Sequence, residues 1–135
     1  MSKLHLKITT NEKVIFDNDV KEIYLKGTQG EFGILPNHIP FMTPLEIGIT
    51  KVVTDDGVKL FTTMGGIFQL KDNEALILTQ TAEDANEIDV QRATEARERA
   101  LARLAEDGSD LVDYRRAEIA LARAMARLKA SDKNI

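Results

Sequence analysis

The chain has 135 residues and a formal net charge of −4, with 43% hydrophobic and 5% aromatic residues. It contains no cysteine, which excludes a disulfide framework and thiolate chemistry. Its acidity and its scarcity of aromatic rings for base stacking argue against a nucleic-acid-binding protein. We also expect no secretory signal, since residues 1–5 lack an apolar segment, and no membrane-spanning helix.

The composition changes at about residue 88, and this break divides the chain into two parts. All eight arginines and eleven of the fourteen alanines follow it, whereas all three prolines and seven of the eight glycines precede residue 67. Proline, glycine and β-branched residues suit turns and strands, and alanine, leucine, arginine and glutamate favour helices. We therefore predict a β-structured body over residues 1–86 and a helical tail over residues 87–135.

The body begins with three predicted strands. Apolar and polar residues alternate over residues 4–8, which is the period of a half-buried strand. A second strand is predicted over residues 14–16 and a third over residues 20–25, with a turn at residues 17–19 because that segment is Asp-Asn-Asp. His5 falls on the polar face of the first strand, so we expect it to be solvated.

Residues 30–40 are dense in glycine and proline. The two glycines permit unusual backbone angles or close approach, and the prolines at positions 36 and 40 stiffen the chain and oppose strand pairing. We predict a rigid loop between strands, in which His38 makes a bracing hydrogen bond. Both a purely structural turn and a docking edge are consistent with this pattern.

The second half of the body predicts two hairpins, because each contains a short turn rich in Asp, Asn, Lys or Gly. The predicted strand pairs are residues 47–54 with 58–64, and residues 67–70 with 75–80. Many short strands separated by regular turns are typical of a sandwich or barrel.

The tail predicts two helices that fold against each other. The first covers residues 89–106, and the segment 107–110 ends it, with Gly108 as its C-terminal cap and Ser109 or Asp110 as the next N-cap. Each helix carries small or apolar residues on one face: Ala93, Ala96, Ala100 and Leu104 in the first, and Leu111, Tyr114, Ala117, Leu121, Ala124 and Leu128 in the second. The predicted fold class is α+β, mainly β: an N-terminal antiparallel β-sandwich followed by a C-terminal antiparallel two-helix hairpin.

The second predicted helix is strongly basic. Over residues 114–129, five basic side chains oppose only one acidic side chain, Glu118, so the local charge is +4. Its natural partner is an acidic protein surface or a phosphate group. Because alanine-rich seams bury little area, we expect the helical hairpin to be weakly held.

Four segments of the chain resemble the ε subunit of the bacterial F-type ATP synthase. They include that family's Gly/Pro-rich signature loop, its Gly-Gly-aromatic segment and its tail motifs. The matching segments are residues 30–40, 65–68, 88–93 and 116–124. Two departures are Phe32, where the family usually has Leu or Met, and Ile-Phe-Gln at residues 67–69 in place of a common Phe-Val-Glu pattern. The resemblance covers essentially the whole chain, with its motifs in the family's order.

This resemblance implies a stalk subunit without catalytic residues, a metal or a required cofactor. The family's sandwich, residues 1–86 here, binds the γ subunit and rests on the membrane c-ring. The helical tail, residues 87–135, folds on the sandwich or extends along γ into the α/β ring, where it hinders ATP hydrolysis. Its basic second helix meets an acidic segment of the β subunit. The implied location is peripheral, on the cytoplasmic face of the inner membrane.

The resemblance also implies a regulatory ATP site. The matching positions are Glu83, Ile88, Asp89, Arg92, Ala93, Arg99, Arg123 and Arg127. Guanidinium groups suit phosphate oxygens, but Asp89 is equally well explained as a helix cap, and the arginines as contacts to partner subunits. An alternative function is a stand-alone ATP-sensing module. A small enzyme on a β-sandwich is the weakest reading, since no nucleophile, metal set or paired acids converge.

Overall fold

A β-sandwich that carries two packed helices is the architecture of the chain. The computed structural model describes residues 3–106, 108 and 110–132. Within these residues the strands are β1 (Leu4–Thr9), β2 (Val14–Val20), β3 (Glu22–Gly27), β4 (Gly30–Ile34), β5 (Phe41–Thr54), β6 (Gly57–Lys71), β7 (Glu74–Leu78) and β8 (Ala82–Asp84). A 3-10 turn (Ala85–Glu87) leads into α1 (Val90–Leu104) and α2 (Leu111–Ser131). The predicted fold class is confirmed.

The strands form a curled sheet with the order β2-β1-β7-β6-β5-β3-β4, and β8 pairs with β6. Phe16 of β2 packs edge-on against Phe61 of β6, with ring centroids 5.5 Å apart, so distant parts of the sheet face each other. One pair departs from the predicted antiparallel pattern, because β1 and β7 run parallel. Alternate side chains fill the interior, and those at 0% exposure are Leu6, Ile8, Ile23, Val52, Phe68 and Ile77.

Both predicted hairpins are confirmed. β5 and β6 pair antiparallel, and Thr54 opposes Gly57 across the turn. β6 and β7 turn at Asp72 and Asn73, whose φ angles of 52° and 61° lie in the left-handed region. Asp and Asn tolerate that region better than other side chains, which explains their use in this turn.

The predicted strands over residues 58–64 and 67–70 are one continuous strand, β6, that bends at two glycines. Gly65 and Gly66 have φ angles of 77° and 121°. A Cβ atom at Gly66 would lie 2.0 Å from the carbonyl oxygen of Leu78 on β7, so only glycine fits there. The predicted division into two strands was wrong, because β6 remains paired with β5 on both sides of the bend.

The predicted turn at residues 17–19 was wrong, because these residues belong to β2. They pair antiparallel with β1, with Asn18 opposite Leu6. β2 stands at one end of the strand order, so its polar side chains mark an exposed edge of the sheet.

The predicted loop over residues 30–40 is a loop only in its second half. Its first half forms β4, which ends the strand order and pairs with β3. The loop proper is held to the β6–β7 turn by Asn37 and Asn73. The backbone N–H of Asn37 donates to Oδ1 of Asn73 at 2.6 Å, and Nδ2 of Asn73 donates to Oδ1 of Asn37 at 3.0 Å. Nδ1 of His38 lies 2.7 Å from the Ile39 carbonyl oxygen, so the predicted bracing contact is confirmed.

Each helix begins at an aspartate. The carboxylates of Asp89 and Asp110 accept hydrogen bonds from backbone N–H groups three residues further on, at 3.1 and 2.8 Å. The predicted C-terminal cap at Gly108 was wrong, because α1 ends at Leu104 and its cap residue is Ala105. Gly108, with a φ angle of 83°, lies in the connection between the helices. The remaining predicted positions of this break, Asp107 and Ser109, lie outside the described residues.

The helices pack on each other through alanine, as predicted. Ala93 and Ala100 of α1 and Ala117 and Ala124 of α2 are buried. The seam does not include the first turn of α2, where Leu111 is 71% exposed. Close packing of small residues brings the helices together while burying little apolar area.

α2 also covers one face of the sandwich, which is the folded arrangement that the resemblance implied, although the sequence did not indicate which face. Ala126 and Ala130 of α2 are buried. A groove between α2 and β5 is lined by Ile47, Ile49 and Met125, among others. The arm, defined here as α1 and α2, is therefore folded down on the body.

Candidate functional site

A cavity of about 490 Å³ opens where β8, the 3-10 turn and the two helices meet. Its lining residues are Glu83, Glu87, Asp89, Arg92, Ala93, Ala96, Arg99 and Arg127. Six of these were predicted for nucleotide binding, namely Glu83, Asp89, Arg92, Ala93, Arg99 and Arg127. The fold thus brings together predicted residues that are up to 44 positions apart.

α1 supplies one wall of the cavity because of its residue spacing. Arg92, Ala96 and Arg99 are four and three residues apart, so they lie on one face of the helix. Ala93 and Ala96 are small and leave space between the two guanidinium groups. The first turn of α1, capped by Asp89, borders the cavity and adds the positive end of the helix dipole.

α2 and β8 close the opposite side through one ion pair. Nε of Arg127 donates to a carboxylate oxygen of Glu83 at 2.5 Å. The two side chains are 29% and 36% exposed. This contact neutralises Arg127 and joins the last strand of the body to the last helix of the arm.

The remaining charges leave two arginines available for a ligand. One carboxylate oxygen of Asp89 is engaged in capping α1. Within the described part of the chain, Arg92 and Arg99 form no ion pair. Guanidinium groups bind phosphate oxygens through paired hydrogen bonds, and the volume falls in the range of small-molecule sites. Arg92 and Arg99 are suited to contact phosphate oxygens, while the carboxylates of Glu87 and Asp89 balance their charge, so the cavity as a whole has no net charge.

Two of the predicted site residues lie elsewhere in this conformation. Arg123 donates from Nη2 to Oε1 of Gln80 at 3.3 Å. Ile88 lines a separate groove near Leu60 and Ala130. The role of both residues in ligand binding stays a prediction.

Three residues at or beside the site were not predicted. Glu87 and Ala96 line the cavity, and Gln80 binds Arg123. Ala96 shares the predicted stripe of α1 with Ala93, so helical spacing alone could have found it. Glu87 and Gln80 carry no such signal, because their positions depend on how the arm docks.

His5 forms a second charged cluster, away from the cavity. It lies on the polar face of β1 with its side chain 40% exposed, as expected, but it is also held by two carboxylates: Nδ1 lies 2.9 Å from Oδ1 of Asp19, and Nε2 contacts Asp17. The hydrogen bonds to Asp19 and then to Asp17 raise the pKa of His5 above its usual value. Register explains the cluster, because His5 lies directly opposite Asp19 on the neighbouring strand.

The described residues contain no group of three or more His, Cys, Asp and Glu side chains arranged to hold a metal ion. None of the helices they form is long and apolar enough to cross a bilayer.

The fold and the cavity together define a two-part protein, in which a β-sandwich carries a folded helical arm and a cavity lined by three acidic and three basic side chains lies at their junction. The family described as "ATP synthase, Delta/Epsilon chain, beta-sandwich domain" matches residues 3–85, and the "long alpha-helix domain" of the same family matches residues 86–132. The chain belongs to the ATP synthase delta/epsilon chain family. The resemblance found in the sequence is confirmed.

Curated relatives support the same assignment over nearly the whole chain. The chain is 42% identical to the ATP synthase epsilon chain of Syntrophobacter fumaroxidans, covering 97% of both chains. It is 42% identical to that of Desulforamulus reducens, covering 94% of this chain and 96% of the relative. It is 43% identical to that of Brevibacillus brevis, covering 82% and 85% respectively.

Solved structures agree in fold. A chain in the mitochondrial ATP synthase of Euglena gracilis, in a structure that comprises OSCP, F1 and the c-ring, has a TM-score of 0.83 and 26% identity, over 97% of this chain and 82% of that chain. A chain in the central stalk and c-ring structure of the Tetrahymena thermophila mitochondrial ATP synthase has a TM-score of 0.65, over 97% of this chain and 98% of that chain. At 18% identity, the second likeness concerns the fold alone.

Proposed function

We propose that the chain is a non-catalytic rotor subunit in the central stalk of an F-type ATP synthase, and that its arm regulates ATP hydrolysis. In this proposal the body binds the γ subunit and rests on the c-ring, so that the chain is peripheral to the cytoplasmic face of the inner membrane. The similar Euglena chain belongs to a structure that contains F1 and the c-ring, which supports this partner assignment.

The observation that carries the regulatory part is the way α2 docks. It contacts the body through alanines and through two arginine side chains, Arg123 and Arg127. Small contacts of this kind make docking weak enough to reverse. Arg115 and Arg116 are exposed in the docked state and are available to an acidic surface of the β subunit when the arm extends. An arm extended into the α/β ring hinders rotation in the direction of hydrolysis.

ATP is the proposed regulatory ligand of the cavity. Its phosphates would be bound by Arg92 and Arg99, the two arginines of the cavity that form no ion pair within the described part of the chain. The cavity is built from the body and both helices, so it exists only while the arm is folded. A ligand that binds only the folded arm shifts the population toward that state. ATP would therefore relieve inhibition by holding the arm closed.

The test is reconstitution with a chain that ends at Asn86. This truncated chain should still bind γ and join the complex, and the complex should hydrolyse ATP faster than one with the full chain. Loss of γ binding by a truncated chain that remains folded would contradict the division of labour between body and arm. Equal hydrolysis rates with equal occupancy would contradict regulation by the arm.

The alternative is a stand-alone ATP-sensing module, favoured by the fact that the cavity is formed within a single chain. Purification from its native cells separates the two functions. Recovery with γ and the catalytic subunits supports the stalk subunit, whereas recovery of the chain alone, with ATP bound, supports the sensor.

A further inference from the structure

We propose that Thr62 sets how firmly the arm docks on the body, because docking buries its hydroxyl group without a hydrogen bond. This inference rests on the proposed function, in which the arm both docks and extends. It assigns control of the equilibrium between the docked and the extended arm to one side chain of the sandwich.

The strand alternation of β6 directs Thr62 away from the core. Its neighbour Phe61 belongs to the hydrophobic core. Its other neighbour, Thr63, lies within hydrogen-bond distance of Thr50, with the two hydroxyl oxygens 3.1 Å apart in a buried contact. Successive side chains of a strand point to opposite faces, so Thr62 points to the outer face, beside Ile49 of β5.

That outer face is covered by the arm. Thr62 is 0% exposed and Met64, two residues further along, is 3% exposed, although both point away from the core. α2 is the helix that packs on β5 and β6, and Ile49 lines the groove beneath it with Met125 and Ala126. Extension of the arm would therefore expose Thr62 to water.

The hydroxyl oxygen of Thr62 is buried and has no hydrogen-bond partner among the described residues. Nε of Arg123, on α2 itself, is also buried without a hydrogen-bond partner among the described residues. A buried polar group without a partner favours the state in which water reaches it. Thr62 thus weakens docking, and it does so without contributing to the core or to the cavity.

The experiment compares amide hydrogen exchange in the full-length wild-type chain and in Thr62→Val. Valine has nearly the same shape and the same branching at Cβ, so it fits the strand. We expect amides of residues 121–130 to exchange more slowly in the variant, by about five- to a hundredfold, because the cost of burying the hydroxyl is removed. Exchange in the core strands provides an internal reference. The ratio of the α2 exchange rate to the core-strand exchange rate therefore separates a change in docking from a change in global stability.

Thr63→Val is the matched control. It makes the same chemical change one position away, but on the inner face, where the hydroxyl has a partner in Thr50. We expect it to speed exchange in the core strands and to leave docking no stronger. Slower exchange of α2 in Thr62→Val alone would support the proposal. Unchanged or faster exchange of α2 relative to the core strands in Thr62→Val, or equal slowing in both variants, would overturn it.

A second readout keeps this inference separate from the proposed function. In the assembled complex, Thr62→Val should raise the rate of ATP hydrolysis, because the arm spends less time extended. If α2 exchange slows but hydrolysis does not change, Thr62 controls docking as inferred and inhibition by the arm is wrong.

Discussion

Nε of Arg127 on α2 lies 2.5 Å from the carboxylate of Glu83 on β8, joining residues 44 positions apart in the sequence. The pair forms one wall of the cavity and is also a direct polar contact between arm and body. Docking of the arm and assembly of the cavity are therefore the same structural event. A ligand that bound in this cavity would therefore stabilise the docked arm.

Arg127→Met should weaken docking while keeping most of the side-chain packing. The pair is about one-third exposed, so we expect a loss of only about 0.2–1 kcal/mol, as for a solvent-screened ion pair. The measurement is the exchange rate of α2 amides, which should rise up to about fivefold. Arg116→Met, on the exposed side of the same helix, is the control and should change little. Equal effects of both variants would show that the contact with Glu83 does not hold the arm.

ATP should raise the melting temperature of the isolated chain and slow exchange in both helices. Arg92→Ala should weaken ATP binding by about ten- to a hundredfold, since it removes a charge-assisted contact. Arg123→Ala should also weaken it if Arg123 leaves Gln80 when ATP binds, and calorimetric titration of both variants decides this. Absence of heat or of a thermal shift at millimolar ATP would mean that the cavity serves the closed arm alone.

The positive charge of α2 should carry inhibition in the assembled enzyme. Replacing Arg115 and Arg116 with alanine should raise the rate of ATP hydrolysis without loss of assembly, because attraction to an acidic partner surface is reduced. Both residues are exposed in the docked state, so docking itself should not change. Arg103→Ala, which removes an exposed charge from α1, is the comparison. The charge mechanism fails if the α2 variant, fully assembled, inhibits as strongly as the wild type.

Stability should depend on pH through His5. Its pKa is raised by Asp19 and Asp17, so protonated His5 stabilises the fold. That contribution is fully present below the unfolded value of about 6.5 and is lost as pH rises through the higher pKa of the folded state. The groove that His5 lines contains four further charged side chains, which are Lys7, Lys71, Asp72 and Glu74. Urea unfolding of wild type and His5→Asn should differ more at about pH 5.5 than at about pH 8.5, and an equal difference at both would contradict the assignment.

Local patterns in the sequence predicted most of the fold. Alternation predicted β1, the Asp-Gly and Asp-Asn turns predicted the two hairpins, and the alanine stripes predicted the seam between the helices. The errors arose where tertiary pairing overrode local composition. Residues 17–19 look like a turn but form an edge strand opposite β1, and two glycines that look like a break instead bend one long strand.

The site was predictable only in part, for a related reason. The resemblance indicated six residues that line the cavity, namely Glu83, Asp89, Arg92, Ala93, Arg99 and Arg127. The positions of Gln80 and Glu83 against α2 depend on a surface contact between the arm and the body. No helical or strand period encodes such a contact, so the docked face of the sandwich and the role of Thr62 emerge only from the structure.

The most direct test of the account is the distance between body and arm, measured in the isolated chain and in the assembled complex. The chain has no cysteine, so labels can be attached at two introduced cysteines, for example at the exposed positions Lys59 and Arg116. The account predicts one short distance in the isolated chain with ATP, and a longer distance in the complex whose population rises as hydrolysis is inhibited. A single short distance in a fully inhibited complex would contradict it.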